Sequence, residues 1–274
     1  MTGRRDLWER IASALDRLAP PVAAPVDWLS HCAYVWDGGS ARPIVALETV
    51  GLAKLRGIDE QKSAILANLK RLAAGAAAHD MLLWGSRGMG KSALIRAAID
   101  ELASGDDGGV ALVQITSGSL PRIADLLVEL GGQERAFLLY LDDLGFDSGA
   151  AQDNLALRSL LDGGVMARPA NVRLAVTSNR RAIVARDWDE SNARHERDER
   201  DNALALADRF GLTLGFHPCD QETYLEILRA YTDPLDIEVD EEEALRWTIA
   251  RGSRSGRSAY QYACELAGRA GLKL

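Results

Sequence analysis

Gly85-Ser86-Arg87-Gly88-Met89-Gly90-Lys91-Ser92 matches G-x-x-x-x-G-K-[ST] without a mismatch, with the apolar run Met81 to Trp84 directly before it and the helical run Ala93 to Leu102 directly after. A glycine turn flanked in this way fixes the local order strand, tight loop, helix. Glycines let the backbone turn sharply enough for its amides to converge, and the positive end of the following helix adds to the field at the same point. Such a turn suits phosphate oxygens. Lys91 is placed to reach the β- and γ-phosphates of a nucleotide, and Ser92 to hold magnesium through its hydroxyl. Gly85 through Ala93 are therefore candidate nucleotide contacts, and Ser92 a candidate metal ligand.

The rest of the chain repeats the alternation that this motif starts. Met81 to Trp84, Val110 to Ile115, Phe137 to Leu141, Val172 to Val176 and Leu212 to Phe216 are short apolar runs, which suits strands buried on both faces of a parallel sheet. Helical patterns near 59–74, 92–103, 121–130, 153–162 and 193–207 surround and separate them, which predicts a doubly wound α/β core. After His217 the strand signals stop, and helices are expected near 221–231, 241–250 and 257–269. At the other end, Leu7, Ile11, Leu15 and Leu18 predict an amphipathic helix over 5–18, and the Pro-rich stretch Ala19 to Pro25 ends it. The expected division is 1–42 as helical extension and linker, 43–217 as nucleotide-binding domain, and 218–274 as a small helical lid.

A second motif supports the first. Phe137-Leu138-Leu139-Tyr140-Leu141-Asp142-Asp143 is an apolar strand ending in two carboxylates, which places them beside the crevice where open α/β sheets bind ligands. Asp142 is the candidate magnesium-side carboxylate. Asp143 is the candidate for orienting or deprotonating an attacking water.

Composition narrows the partners. With 40 acidic against 32 basic residues the formal charge is −8, which argues against a surface that tracks a nucleic-acid backbone throughout, though a local basic patch stays open. No stretch of about 18 apolar residues suggests a membrane span, charges interrupt any N-terminal signal segment, and the cytoplasm is the expected location. Cys32, Cys219 and Cys264 fit neither a zinc cluster nor a disulfide framework and are expected as small buried hydrophobes. The four histidines show no metal-ligand spacing.

Taken together, LRGIDEQK, LLWGSRGMGKS, YLDDLGFD, TSNRR, DRFGLTLGFHPCDQETYL and RGSRSGRSAYQ resemble the AAA+ superfamily, and most closely a bacterial group within it, domain of unknown function 815. The resemblance covers roughly residues 43 to 270. It implies a P-loop NTPase core, a five-stranded parallel sheet flanked by helices, with a C-terminal helical lid, binding ATP and Mg2+. It further implies that Leu55, Gly57 and Ile58 line an adenine pocket and that Asn179 is the sensor 1 residue facing the γ-phosphate or attacking water. Arg209 would be the arginine finger offered in trans to a neighbouring subunit, hence a homo-oligomer. Arg257 resembles the sensor 2 arginine of the lid, with Arg254 close enough to compete; Arg257 is preferred because it follows Gly256 and opens the helix.

Two departures matter. The second acid is Asp143 where better-known members carry glutamate, and Ser117 to Pro121 lacks the aromatic pore loop of ring unfoldases, which argues against polypeptide threading. The expected activity is ATP hydrolysis coupled to remodelling of an unidentified protein or nucleoprotein partner. The alternative is an ATP-dependent binding switch or loader, similar to helicase loaders, with little turnover. A small-molecule kinase ranks third. The mixed-charge run 185–202 reads as a solvated helix or loop, with partner contact as the sharper reading, and Arg180 and Arg181 are further candidates to face phosphate or a neighbour.

Overall fold

The computed structural model describes residues 7–14, 25–105, 109–143, 151–163, 168–179 and 206–274. Helix α1 spans residues 7–14 and exposes Leu7, Trp8 and Ile11. Strands β1 (Ala33–Trp36) and β2 (Ala41–Pro43) precede helix α2 (Asp59–Ala73). There follow β3 (Met81–Gly85), α3 (Lys91–Ala103), β4 (Val110–Ile115), α4 (Ile123–Gly131), β5 (Ala136–Leu141), α5 (Ala151–Leu161), β6 (Val172–Ser178) and β7 (Leu212–Phe216). Helices α6 (Gln221–Thr232), α7 (Glu241–Arg251) and α8 (Gly256–Arg269) complete the chain.

The strands form one seven-stranded sheet in the order β2-β1-β4-β5-β6-β3-β7, parallel throughout except for the β1–β2 pair. All five strands expected from the apolar runs are present. Their side chains alternate between two cores, as the pleat requires. On β5, Phe137, Leu139 and Leu141 join one cluster with Leu126, Leu127 and Leu130 of α4, while Leu138 and Tyr140 face Leu94, Ile95 and Ile99 of α3. Both faces are thus covered, which is why these strands read as unbroken apolar runs.

Two strands correct the sequence reading. Residues 33–43 are not part of a linker but extend the sheet, β1 pairing parallel to β4 from Ala33 opposite Leu112 to Trp36 opposite Ile115. The segment before them is pinned to the core by Trp28, only 1% exposed, whose ring packs on Tyr34 and edge-on to Phe137. Arg135 secures the same segment by donating to the carbonyls of Trp28, Leu29 and His31. A tryptophan buried so completely contributes about 3–5 kcal/mol against truncation, enough to hold a four-residue strand in register.

The three C-terminal helices bury their own cluster, built on Tyr224, Leu228, Ala259, Tyr262 and Ala263. Two glycines permit close approaches, one between this unit and the core and one between neighbouring strands of the sheet. Gly57, at φ +72, lies against α6, where an added Cβ would come 2.4 Å from Thr223 Cγ2. Gly85, at φ +123, lies against β7, where a Cβ would come 2.0 Å from the Phe216 carbonyl oxygen. Of the cysteines, Cys32 and Cys219 are half-buried and Cys264 is exposed on α8, so only the first two approximate the expected role of apolar filler. Among the described residues no helix is long and apolar enough to cross a membrane. The expected helix over 193–207 is seen only at its end, residues 206–207, and Arg180, Arg181 and the 185–202 run lie outside the described residues.

Candidate nucleotide site

The sheet order brings the candidate residues together. β3 lies between β6 and β7, with β5 on the far side of β6, so the ends of β3, β5 and β6 adjoin at one edge of the sheet. That edge is where the chain, having run from β3 to one side, returns to the other, the position at which open α/β sheets bind ligands. A cleft of about 500 Å³ opens there between the sheet and the helical unit, lined by Leu55, Ile58, Arg87 to Ala93, Asp142, Asp143, Asn179 and Arg257. Val50, Lys54, Arg56, Arg96, Thr177, Ile227, Tyr231, Gly256 and Tyr260 complete its wall.

The glycine turn has the conformation its sequence requires. Gly88 and Gly90 sit at φ +77 and +91, in the left-handed region that side chains rarely enter. Gly90 begins α3 with no side chain capping it, so the first amides of that helix face the cleft. Lys91 is only 6% exposed and its Nζ donates to the carbonyls of Gly85 (2.8 Å) and Ser86 (2.9 Å) and to Asn179 Oδ1 (3.0 Å). Burial pulls its pKa below that of a free lysine, opposed by the charges of Asp143 and Asp142.

The carboxylates occupy different settings. Asp142 Oδ1 accepts from three hydroxyls, Tyr140 at 2.6 Å, Ser92 at 2.8 Å and Thr177 at 2.8 Å. Desolvation alone would raise its pKa, but the three hydrogen bonds and the nearby Arg96 charge outweigh it and hold the carboxyl below the usual range. The same carboxylate pushes the Tyr140 phenol up, after burial as the larger cause. Asp143 stands at φ +53, its amide donating to Thr177 Oγ1 at 2.8 Å. Its Oδ1 accepts from Asn179 Nδ2 and its Oδ2 pairs with Arg87 Nη2 at 3.2 Å. With side chains 72% and 50% exposed, that ion pair contributes about 0–1 kcal/mol.

Ser92 Oγ and the Asp142 carboxylate offer hard oxygen ligands side by side. Among the described residues no group of three or more His, Cys, Asp or Glu could hold a metal ion. A pair of this kind fits Mg2+, which takes few protein ligands and the remainder from water and phosphate.

The helical unit meets the glycine turn beside the cleft. The amide of Arg257 donates to the Gly88 carbonyl at 3.1 Å. Ser255, which caps α8 and forms a reciprocal capping box with Ser258, lies so close that a Cβ on Gly88 would come 2.9 Å from its hydroxyl. Arg257 lines the cleft and Arg254 does not.

Four candidates do not line the cleft. Gly57 and Gly85 do not line the cleft; their glycines answer to packing. Ser86 contributes backbone, its amide donating to the Phe216 carbonyl and its carbonyl accepting from Lys91. Arg209 also stands away from the cleft, with Nε and Nη2 both on the Asp162 carboxylate after α5. Conversely, Tyr140, Thr177, Arg96 and the lid residues Ile227, Tyr231 and Tyr260 were not singled out by sequence. TSN after a strand was the available signal for Thr177.

Comparison with known proteins bears on this geometry. Among curated proteins none matches the chain. Solved structures do: a Lys-to-Arg variant of Thermotoga maritima RuvB aligns with TM-score 0.50 at 17% identity, over 79% of this chain and 64% of that one. A Pro-to-Gly variant of the same protein gives 0.48 at 18%, over 76% and 61%. The chain thus spans less than two thirds of the length of these neighbours, and at such identity the likeness concerns the fold alone. The model of the family described as "Protein of unknown function (DUF815)" matches residues 29–270, nearly the whole sequence, and the chain belongs to that family.

Proposed function

We propose that this chain is an ATPase that binds ATP with Mg2+ in the cleft, hydrolyses it as part of a homo-oligomer, and couples the cycle to remodelling of a protein or nucleoprotein partner. The observation that carries the reading is charge. In a chain of net charge −8, the cleft is lined by Lys54, Arg56, Arg87, Lys91, Arg96 and Arg257 against only Asp142 and Asp143. A concentrated cationic surface around a glycine turn and an uncapped helix start suits a triphosphate.

Lys91 would exchange its two carbonyl partners for phosphate oxygens, with little new desolvation since it is already buried. Ser92 and Asp142 would hold Mg2+, which would supply positive charge to offset that developing on the phosphate. Asn179, between Lys91 and Asp143, would orient a water for Asp143. The base would lie against Leu55, Ile58, Ile227 and Tyr231. Arg209, freed from Asp162, would reach the nucleotide of a neighbour. On this reading residues 218–274 form a lid that the nucleotide draws onto the core.

One observation favours the switch or loader alternative. Both oxygens of Asp143 are engaged, by Asn179 and Arg87, and aspartate reaches less far than glutamate, so turnover depends on releasing it. The two readings separate in an ATPase assay run against protein concentration. Hydrolysis per chain should rise with assembly and fall at least about tenfold in Arg209→Ala, with ATP binding retained. Hydrolysis that is absent at every concentration, with ATP binding intact, selects the switch; hydrolysis unaffected by both dilution and Arg209→Ala removes the finger from the mechanism.

A further inference from the structure

Arg87 occupies a variable position of the glycine turn, yet its guanidinium is not idle. It pairs at 3.2 Å with one oxygen of Asp143, while Asn179 holds the other. Asn179 in turn accepts from Lys91, and Lys91 is closed onto the carbonyls of its own loop. The cations of the turn and the would-be water-activating acid thus neutralise each other in a chain running Arg87, Asp143, Asn179, Lys91.

We propose that Arg87 is the residue by which this site distinguishes a nucleoside triphosphate from a diphosphate. It clamps Asp143 when no γ-phosphate is in reach, and moves to the γ-phosphate oxygens when one is, leaving Asp143 to act on water. The inference rests on the ATP-site reading above and adds the regulation of that site.

Three features make the exchange feasible. The pair is exposed on both sides, so holding it contributes little and a phosphoryl group, with more charge and three acceptor oxygens, displaces the carboxylate. Arg87 stands on the same turn as Lys91, so a ligand that engages the lysine brings its terminal phosphate near the guanidinium. Asp143 does not drift when released, because its amide remains bonded to Thr177 Oγ1 and Asn179 still holds one carboxylate oxygen. A diphosphate ends short of the clamp and leaves Arg87 where it is.

The test is calorimetric titration of wild type, Arg87→Gln, Asp143→Asn and the double variant with Mg2+ and either ADP or a non-hydrolysable ATP analogue. Removing the guanidinium should weaken the triphosphate analogue about tenfold while ADP affinity changes less than about twofold. Asp143→Asn, which drops the competing charge, should tighten the analogue about threefold in the presence of Arg87 and not in its absence. Equal weakening of both nucleotides in Arg87→Gln, or an Asp143→Asn effect that ignores Arg87, overturns the proposal while leaving the ATP site standing. Wild type that binds neither nucleotide sinks the ATP-site reading itself. ADP binding by Arg87→Gln shows that the variant is folded.

Discussion

Asp142 shows how much of this site is set by neighbours rather than by the acid itself. Its oxygen collects three hydroxyls because β5 and β6 are in parallel register, Leu141 opposite Val176, so that the next residues, Asp142 and Thr177, come level. Tyr140 reaches the same oxygen because residues two apart on a strand share a face. None of this was visible in the sequence, where Tyr140 and Thr177 look like ordinary strand formers; their role arises from which strand lies beside which. The glycines and Lys91 were legible because the demand on them is local. Tyr140→Phe removes one donor without changing shape and should lower stability to urea by about 1–2 kcal/mol at neutral pH. The sign of its pH dependence follows from the lowered pKa of Asp142. Hydrogen bonds to the charged form contribute fully above the unfolded carboxyl pKa of about 3.9 and are lost as pH falls through the folded value. The difference between variant and wild type should therefore hold from pH 7 to about pH 4 and shrink as pH falls further; a difference that stays the same until the protein unfolds in acid would show that Tyr140 does not act through the carboxylate.

Strands and helices were readable where one element carries its own signal. Val110–Ile115 and Leu212–Phe216 have the expected limits, since an apolar residue marks each end, although Gln114 and Thr213 within them are exposed. The three C-terminal helices each begin at a residue that caps them with its side chain, Asp220, Asp240 and Ser255. β1 and β2 escaped notice because four and three residues hold no periodicity, and their pairing with β4 and with each other is a non-local fact. The contact between glycine turn and lid is of the same kind. Gly88→Ala forces a side chain into φ +77 and against Ser255 and Arg257, which should destabilise the chain by about 1–3 kcal/mol and loosen the lid. Nucleotide affinity should fall at least about tenfold, beyond what the stability change explains at a temperature where the variant is fully folded. Unchanged affinity in a folded Gly88→Ala protein would show that the lid does not need this contact.

At the scale of the molecule, one chain gathers the glycine turn, the two acids and Asn179 around one cleft, whereas Arg209 lies outside it. Arg209 is bound to Asp162 and does not line the cleft. On the proposed reading that arginine serves the site of a neighbour, which is why assembly and turnover are tied in the proposed cycle. All of this presupposes that the cationic cleft takes a nucleotide. The direct measurement is isothermal titration of purified protein with ATP, with and without Mg2+, beside Lys91→Ala. The account predicts saturable binding at one site per chain, weakened when Mg2+ is withheld and at least about tenfold weaker in the variant, whose triphosphate lacks its buried ammonium partner. Absence of saturable binding in the wild-type protein, or equal affinity with and without Lys91, would contradict it.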